Sequence, residues 1–144
     1  MGLEIRELEL RDYEELLALW ARAGLSYRPR GRDSRAAIAE QLERDPQLFL
    51  GAFDGGRLVG AVVGSDDGRK GWINRLAVDP NHRRQGIAKR LIAEVERRLR
   101  ARDRRIIAVL IEDWNDVSLK LFQECGYILD RSILYLSKRE GAEV

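Results

Sequence analysis

The sequence is short of the residues that build disulfides, metal sites and membrane spans. It contains one cysteine, Cys125, and one histidine, His82. It can therefore form no disulfide within the chain, and it lacks the ligands for a cysteine-based zinc site. No apolar run approaches the roughly 20 residues that a helix needs to cross a bilayer. We therefore expect a cytoplasmic protein with no metal and no membrane partner.

The charge balance gives no sign of a nucleic-acid partner. The chain carries 26 lysines and arginines against 24 aspartates and glutamates, so it has no global field of the kind that attracts nucleic acid. Arginines are frequent at 83–105, but those near the end of this stretch suit the C-terminal end of a helix and favour a solvated helix face. A chain of 144 residues fits one domain, expected over 1–137 with a loose tail at 138–144, in a monomer or a homodimer.

The hydrophobic pattern predicts a single α/β domain. A continuous apolar run at 106–111 is typical of a parallel strand that is covered on both faces. We expect a mixed sheet with helices on both faces, antiparallel in its first half and parallel where the long helix crosses over. Strands are predicted at 3–8, 48–53, 57–64, 72–78, 106–111, 127–129 and 133–136, and helices at about 13–24, 35–45, 87–99 and 117–125.

The stretch 71–99 carries the strongest chemical signal, because a strand leads through a basic turn into a long amphipathic helix. Pro80 ends the strand, since proline cannot donate to a ladder. Gly86 lets the backbone approach a ligand, and the small side chain of Ala88 leaves space beside the first turn of the helix. The first turn of a helix has unpaired N–H groups and a partial positive charge, which together bind phosphate. For this turn taken alone, a solvated turn with surface arginines is the alternative.

Two blocks of this sequence together resemble the GNAT superfamily of acyl-CoA-dependent N-acetyltransferases. The first block is the strand end Leu76-Ala77-Val78-Asp79-Pro80 with the turn Arg83-x-x-Gly86-x-Ala88, similar to the family's Gln/Arg-x-x-Gly-x-Gly/Ala. The second is Asn115 followed by Leu121 to Tyr127. Their order and spacing are more specific than either block alone. The chain is most similar in character to small bacterial members, the YpeA-type and ribosomal-protein-alanine acetyltransferases.

The resemblance implies that acetyl-CoA binds as a co-substrate between two splayed strands. The Val78 N–H would then point at the thioester carbonyl, where a preplaced donor stabilises the negative charge that develops during amine attack. Asn115 would touch the pantetheine arm, although an asparagine is equally apt as a helix N-cap. The residues implied to contact the co-substrate are Leu76, Ala77, Val78, Arg83, Arg84, Gln85, Gly86, Ile87, Ala88, Lys89, Asn115 and Phe122.

Transfer to an amine also needs a proton acceptor and an acceptor pocket. A lysine or polyamine nitrogen has a pKa near 10, so a base must take its proton. Glu112 follows the predicted parallel strand and is the best-placed carboxylate, with a solvated loop as the alternative. The aromatic residues Tyr27, Trp72 and Trp114 are candidates to line the pocket. Carboxylates that are candidates to attract a cation are Asp66, Asp67, Glu112, Asp113 and Asp116.

The sequence departs from the family at the general acid. The late-helix position that is usually tyrosine is Phe122, which has no proton to give. Either Tyr127 replaces it, or the thiolate leaves unaided, or the protein catalyses poorly. A strand residue that packs on the helix is the alternative for Tyr127. We favour unaided departure, because a thiol with a pKa of about 8.5 is a tolerable leaving group and positioning supplies much of the rate.

Three functions are therefore compared. The first is N-acetyl transfer from acetyl-CoA to a primary amine, on a protein or a small molecule, by direct transfer in a ternary complex. The second is an acyl-CoA-binding or sensing module with weak or no catalysis, suggested by Phe122. The third, nucleic-acid binding through the arginine-rich helix, lacks the interleaved aromatic residues that support single-strand binding.

Overall fold

A computed structural model describes residues 2–142 and 144 of this chain. One sheet of five strands runs through it in the order β1-β2-β3-β4-β5, antiparallel from β1 to β4 and parallel between β4 and β5. This confirms the predicted mixed sheet. The expected domain and tail boundaries stay predictions, and Met1 and Glu143 lie outside the described residues. The strands are β1 Leu3–Glu7, β2 Phe49–Asp54, β3 Arg57–Asp66, β4 Gly71–Val78 and β5 Ile107–Val109.

Four helices cover the two faces of the sheet, which confirms the predicted layers. They are α1 Tyr13–Arg22, α2 Arg35–Arg44, α3 Ile87–Arg100 and α4 Asp116–Glu124. On one face, Leu19, Trp20 and Ile38 from α1 and α2 pack against the sheet. On the other, Leu91 from α3 and Phe122 from α4 pack against it. None of the helices in the described part of the chain is long and apolar enough to span a membrane.

Glycines in β3 and β4 let α3 lie close to the sheet. A Cβ added at Gly60 would lie 2.9 Å from Cγ2 of Ile87, and one added at Gly71 would lie 2.5 Å from Cδ1 of Leu99. A glycine inside a strand marks a bulge or a close packing contact, and Gly60 has both, because the pairing with β2 passes from Ala52 opposite Gly60 to Phe53 opposite Leu58. The two contacts fix both ends of α3 against the sheet. The turn before α3 is therefore held at a set position beside the end of β4.

The predicted strands after α4 are wrong for the described chain. No strand is formed at 127–129 or 133–136, and residues 128–136 are all exposed. β5 is also shorter than predicted, because it spans Ile107–Val109 rather than 106–111. The apolar and β-branched composition of these segments favours strands, but a strand forms only when a neighbouring edge supplies hydrogen-bond partners. Within the described residues, the late segments have no such neighbour.

Candidate active site

The edge of β4 that faces β5 is open along its second half. The parallel pairing joins Gly71 to Ile107 and ends where Ile73 meets Val109. Residues 75–78 of β4 keep their partners on β3, but no described strand pairs with their other edge. The ladder between β4 and β5 therefore ends where the implied splay would begin, and the splay itself stays a prediction. The open edge of β4 offers backbone N–H and C=O groups to an extended ligand, as in strand addition.

The N–H of Val78 points toward this open edge. The next residue, Asp79, donates its backbone N–H to Val59 O on β3 at 2.8 Å. Successive residues of a strand direct their backbone groups to opposite edges in alternation. The Val78 N–H therefore faces away from β3, and so does the Leu76 N–H two residues earlier. Both donors lie along the groove between β4 and the loop that follows β5.

A β-bulge at Asn74 changes which face the β4 side chains present. The register passes from Val63 opposite Arg75 to Gly64 opposite Ile73, so Asn74 has no cross-strand partner. Its Nδ2 donates to Ser65 Oγ at 2.9 Å, and its side chain is exposed. Bulges redirect side chains in this way. The sequence analysis missed this bulge, because a single asparagine in a strand gives no clear signal of one.

The turn before α3 has the backbone geometry that the predicted anion site requires. Arg84 and Gly86 adopt φ values of 66° and 79°, in the left-handed region. The first bond of α3 runs from Arg90 N to Gly86 O at 3.0 Å, and no hydrogen bond among the described residues uses the backbone N–H groups of 83–89. The helix terminus adds a partial positive charge. The predicted cradle is thus solvent-accessible, and its exposed members are Arg83, Arg84, Gln85, Gly86 and Lys89.

Asp79 fixes the end of β4 to the turn that follows it. The sequence analysis did not identify this role. Its carboxylate is 1% exposed and accepts hydrogen bonds from Asn81 N at 2.9 Å and Arg22 Nε at 3.0 Å. The Asn81 N–H and the Arg22 guanidinium hold the pKa of this carboxyl below its usual range despite burial. The available signal was an aspartate directly before Pro80, which is typical of a cap on a short helical turn. These bonds form a lock that fixes Val78 relative to the anion site.

Asn115 is the N-cap of α4, so one of its two expected roles is confirmed. Its side-chain oxygen accepts from Ser118 N at 3.1 Å. The pantetheine contact stays a prediction. Phe122, one turn from the end of α4, is 4% exposed and packs edge-on against Tyr127 with ring centroids 5.1 Å apart. Phe122 therefore lies in the core beneath α3.

Tyr127 is turned toward α3. Its hydroxyl donates to a Glu96 carboxylate oxygen at 2.6 Å. Burial and the Glu96 carboxylate raise the pKa of this phenol far above its ordinary value. Next to it, burial raises the pKa of the Cys125 thiol, and this side chain packs against the core beneath α3. Neither group is arranged to give up a proton easily.

The carboxylates that are candidates for the amine-acceptor site differ in whether they are already bound by other side chains. Glu112 is exposed in the loop between β5 and α4, where it accepts from Trp114 Nε1 at 2.7 Å. Asp66, by contrast, is bonded to Arg104 Nε at 2.6 Å and to Arg102 at 3.2 Å. Asp67 accepts from Trp72 Nε1 at 3.1 Å and from backbone N–H groups of its own turn. The carboxylates at the β3–β4 turn thus stabilise that turn, and those after β5 stay accessible.

Arginines late in α3 and just after it form ion pairs. Arg98 Nε lies 2.8 Å from Glu94, and its Nη1 lies 2.7 Å from Glu7 on β1. Arg102 Nη1 is 3.1 Å from Asp45. These pairs attach the helix to neighbouring elements. They favour the interpretation of this stretch as a salt-bridged helix face over a surface for nucleic acid.

The chain is similar to known acetyltransferases in both sequence and structure. Residues 3–127 match the model of the Acetyltransferase (GNAT) family. An acetyltransferase of Sodalis glossinidius is 36% identical over 137 residues, which are 95% of each chain. The PaiA N-acetyltransferase of Thermoplasma acidophilum, in complex with coenzyme A, superimposes with a TM-score of 0.78 at 24% identity and covers 90% of this chain and 92% of its own. A ribosomal-protein-alanine N-acetyltransferase of Brucella melitensis has a TM-score of 0.71 at 26% identity and covers 95% of this chain and 100% of its own.

Proposed function

Because this chain belongs to the GNAT acetyltransferase family, we propose that it transfers an acetyl group from acetyl-CoA to a primary amine in a single ternary complex. The observation that carries the proposal is the open edge of β4, which leads directly to the anion site before α3. One end of the groove presents the Val78 N–H, and the other presents the free backbone N–H groups of 83–89. This order suits a ligand with a thioester at one end and a pyrophosphate at the other.

The turn before α3, the open edge of β4 and the start of α4 each contact a different part of the bound acetyl-CoA. The backbone N–H groups from Arg84 to Lys89 satisfy the pyrophosphate, and the side chains of Arg83, Arg84 and Lys89 add positive charge around it. The edge from Leu76 to Val78 pairs with the pantetheine arm. Asn115 reaches the same arm from the start of α4 while it caps that helix. Phe122 supports the groove from below through its place in the core.

Two groups act on the reacting atoms. The bound acetyl-CoA supplies an activated acyl group as a thioester. The Val78 N–H donates to the carbonyl oxygen as negative charge develops there, because it already faces the open edge. Glu112 takes a proton from the incoming ammonium group and leaves a neutral amine. Attack forms the C–N bond and a tetrahedral intermediate. As the intermediate collapses, the C–S bond breaks, the sulfur leaves as the thiolate, and the nitrogen loses its second proton to solvent, which gives the neutral amide.

The thiolate of CoA leaves without a protein acid in this proposal. Phe122 has no proton, and the Tyr127 hydroxyl donates to Glu96. Tyr127 as the acid stays an alternative prediction, which would require the phenol to leave Glu96 during turnover. A thiol pKa of about 8.5 makes the unaided thiolate stable near neutral pH. The rate then comes mainly from the placement of amine and thioester.

The second candidate is an acyl-CoA-binding or sensing module with weak or no catalysis. It is favoured by the same engagement of Tyr127 with Glu96. An acceptor amine, on a protein or a small molecule, belongs only to the first candidate.

An assay of thiol release from acetyl-CoA distinguishes the acetyltransferase from the binding module. The assay uses a panel of small amines, polyamines and peptides. We expect release that depends on an amine, with the acetylated amine identified by mass spectrometry. CoA binding without amine-dependent release across the panel would contradict acetyl transfer and support the binding module. CoA binding is measured in parallel by calorimetry, so that a lack of turnover is not mistaken for a lack of binding.

A further inference from the structure

Arg75 on β4 carries a largely buried guanidinium that uses little of its hydrogen-bonding capacity. Its side chain is 15% exposed. Nη2 donates to Asp33 Oδ2 at 3.0 Å, whereas Nη1 is buried and has no hydrogen-bond partner among the described residues. A guanidinium offers five N–H donors. A buried donor without a partner costs about 1–3 kcal/mol, so an oxygen of a ligand that bonds to this group would remove that cost.

The β-bulge at Asn74 turns Arg75 toward the face of the sheet that α1 covers. In a regular strand alternate residues share a face, so Arg75 would lie on the same face as Ile73. The bulge breaks the alternation, because Ile73 belongs to the core beneath α3 and Ala77 belongs to the core beneath α1. Arg75 lies on the same side as Ala77, and its guanidinium carbon is 4.5 Å from the centre of the Trp20 ring on α1.

Arg75 is close to the part of β4 that would hold the thioester. It precedes Val78 by three residues, which at about 3.3 Å per residue is on the order of 10 Å along the strand. Both belong to the half of β4 whose outer edge has no described partner strand. Tyr27, a predicted residue of the acceptor pocket, lies on the same side of the sheet, with its ring centre 6.4 Å from that of Trp20. An acceptor of modest size can therefore reach both Val78 and Arg75.

The loop between α1 and α2 adds positive charge around Arg75. Asp33 in this loop is 4% exposed and accepts from the Arg28 backbone N–H at 2.7 Å. Arg32 Nε lies 3.6 Å from the same carboxylate. Burial, together with the charges of Arg32 and Arg28, lowers the pKa of Arg75. Three arginines thus lie near Asp33, the one carboxylate that the described contacts place among them, and this balance favours an anionic ligand.

We propose that the amine acceptor of this protein also carries a carboxylate, and that Arg75 binds this carboxylate. The inference rests on the proposed acetyl transfer and names the class of its acceptor. Arginine binds carboxylates through its fork of N–H groups, and the contacts of Arg75 with Asp33 and Trp20 hold that fork in place. An amine without a carboxylate leaves the guanidinium unpaired and is disfavoured. A free amino acid and a peptide with an acidic residue near its N-terminus share this chemistry.

Matched pairs of acceptors test the proposal. One pair is γ-aminobutyrate and its amide, which differ in the charge of the end group, and the other is two peptides that begin with alanine-glutamate or alanine-glutamine. We expect the wild type to have a kcat/KM about tenfold or more higher for the carboxylate member of at least one pair. The pair that shows this preference identifies the acceptor as a free amino acid or a peptide. Arg75→Gln should lose the preference and keep its rate with the amide.

The controls separate recognition of the carboxylate from a structural role of Arg75. Arg69→Gln is the matched control, because Arg69 is exposed in the β3–β4 turn, and it should keep the preference. A purely structural role would lower kcat/KM equally for both members of a pair. Should Arg75→Gln fail to fold, as judged by circular dichroism and CoA binding, the double variant with Asp33→Asn replaces it, since that variant removes both charges of the buried pair.

Two results would overturn the proposal while acetyl transfer itself stands. The first is an equal kcat/KM for the two members of both pairs, and the second is a preference that persists in Arg75→Gln. If no amine of either pair is acetylated, the proposed function fails, and calorimetry on the CoA-saturated protein decides the carboxylate site. Binding of γ-aminobutyrate or of the acidic peptide that is weaker in Arg75→Gln would support the site, and a lack of binding to the wild type would refute it.

Discussion

The Tyr127 hydroxyl donates a hydrogen bond of 2.6 Å to Glu96 and so ties the end of α4 to the middle of α3. Both burial and the carboxylate favour the neutral phenol, and they raise its pKa well above the ordinary value of 10.0. A phenol held in this way is a poor proton donor to a thiolate, whose conjugate acid has a pKa of about 8.5. The bond therefore argues for a structural role of Tyr127 at the junction of two helices.

Replacement Tyr127→Phe separates the two roles of this residue. We expect turnover to stay within about twofold of the wild type, while a general acid would contribute on the order of 100-fold or more. The free energy of unfolding should fall by about 1–2 kcal/mol, because the hydrogen bond from the Tyr127 hydroxyl to the charged Glu96 carboxylate is lost. Steady-state kinetics and urea unfolding measure the two effects. A rise in turnover in the companion variant Phe122→Tyr would contradict this view, since it would show that a missing acid limits the rate.

Replacement Gly86→Glu tests the anion site. The new side chain places a negative charge and bulk beside the free N–H groups before α3, so we expect CoA affinity to fall by about 100-fold or more. The matched control is Gly68→Glu in the β3–β4 turn. Gly68 has φ +90° and no atom within 4 Å of an added Cβ, as Gly86 has φ +79° and equally open space. Both variants carry similar backbone strain, and only Gly86→Glu should lose CoA binding by calorimetry. Equal affinity in the two variants would place the anion site elsewhere.

Local patterns in the sequence were sufficient to predict the helices and the turn that leads into α3. Ser34, directly before α2, is a residue type typical of an N-cap, and its side chain accepts from Ala37 N at 3.1 Å. The step of four between Ile87, Leu91 and Val95 predicts the buried face of α3, and all three are buried. These signals depend on residues within one or two turns of each other. That is why single-sequence reasoning finds them.

Features that depend on distant partners were not predicted. The bulge at Asn74 arises from the pairing of β3 with β4, and the bond of Asp79 to Arg22 joins positions 57 residues apart. The strand expected at 133–136 has the right composition, yet a strand also needs an edge to pair with. In each case the sequence alone does not show which distant residue or strand will be the partner.

Replacement Asp79→Asn tests the lock between strand and turn. The carboxylate is 1% exposed, and its loss leaves Arg22 without its buried partner, so we expect a decrease of about 2 kcal/mol in the free energy of unfolding. CoA affinity should also fall, because the anion site loses its fixed position. The control is Asp54→Asn, whose carboxylate is half-exposed and lies 3.4 Å from His82 Nε2. An equal effect of the two replacements on unfolding would contradict the lock.

The free energy of unfolding should depend on pH through the Asp79 carboxylate. The pKa of Asp79 is lower in the folded chain than its ordinary value of 3.8, so its stabilising contribution is complete above pH 3.8 and is lost as pH falls through the folded pKa. We expect the wild type to lose free energy of unfolding below about pH 4. Asp79→Asn should lose less over the same range, because it has no carboxylate to protonate at this position. Urea unfolding of both proteins at several pH values between neutral and acid measures the difference.

Replacement Glu112→Gln tests the proposed base. At neutral pH a primary amine is almost entirely protonated, so removal of the base should lower turnover by about 100-fold. At high pH the amine loses its proton to solvent, and the gap between variant and wild type should narrow. Asp113→Asn is the matched control in the same exposed loop and should leave the pH profile unchanged. Because Glu112 also accepts from Trp114, CoA affinity is measured for both variants to separate a displaced loop from a missing base. A uniform loss of turnover at every pH in Glu112→Gln would contradict the assignment, since only a proton acceptor makes the defect depend on the ionisation of the amine.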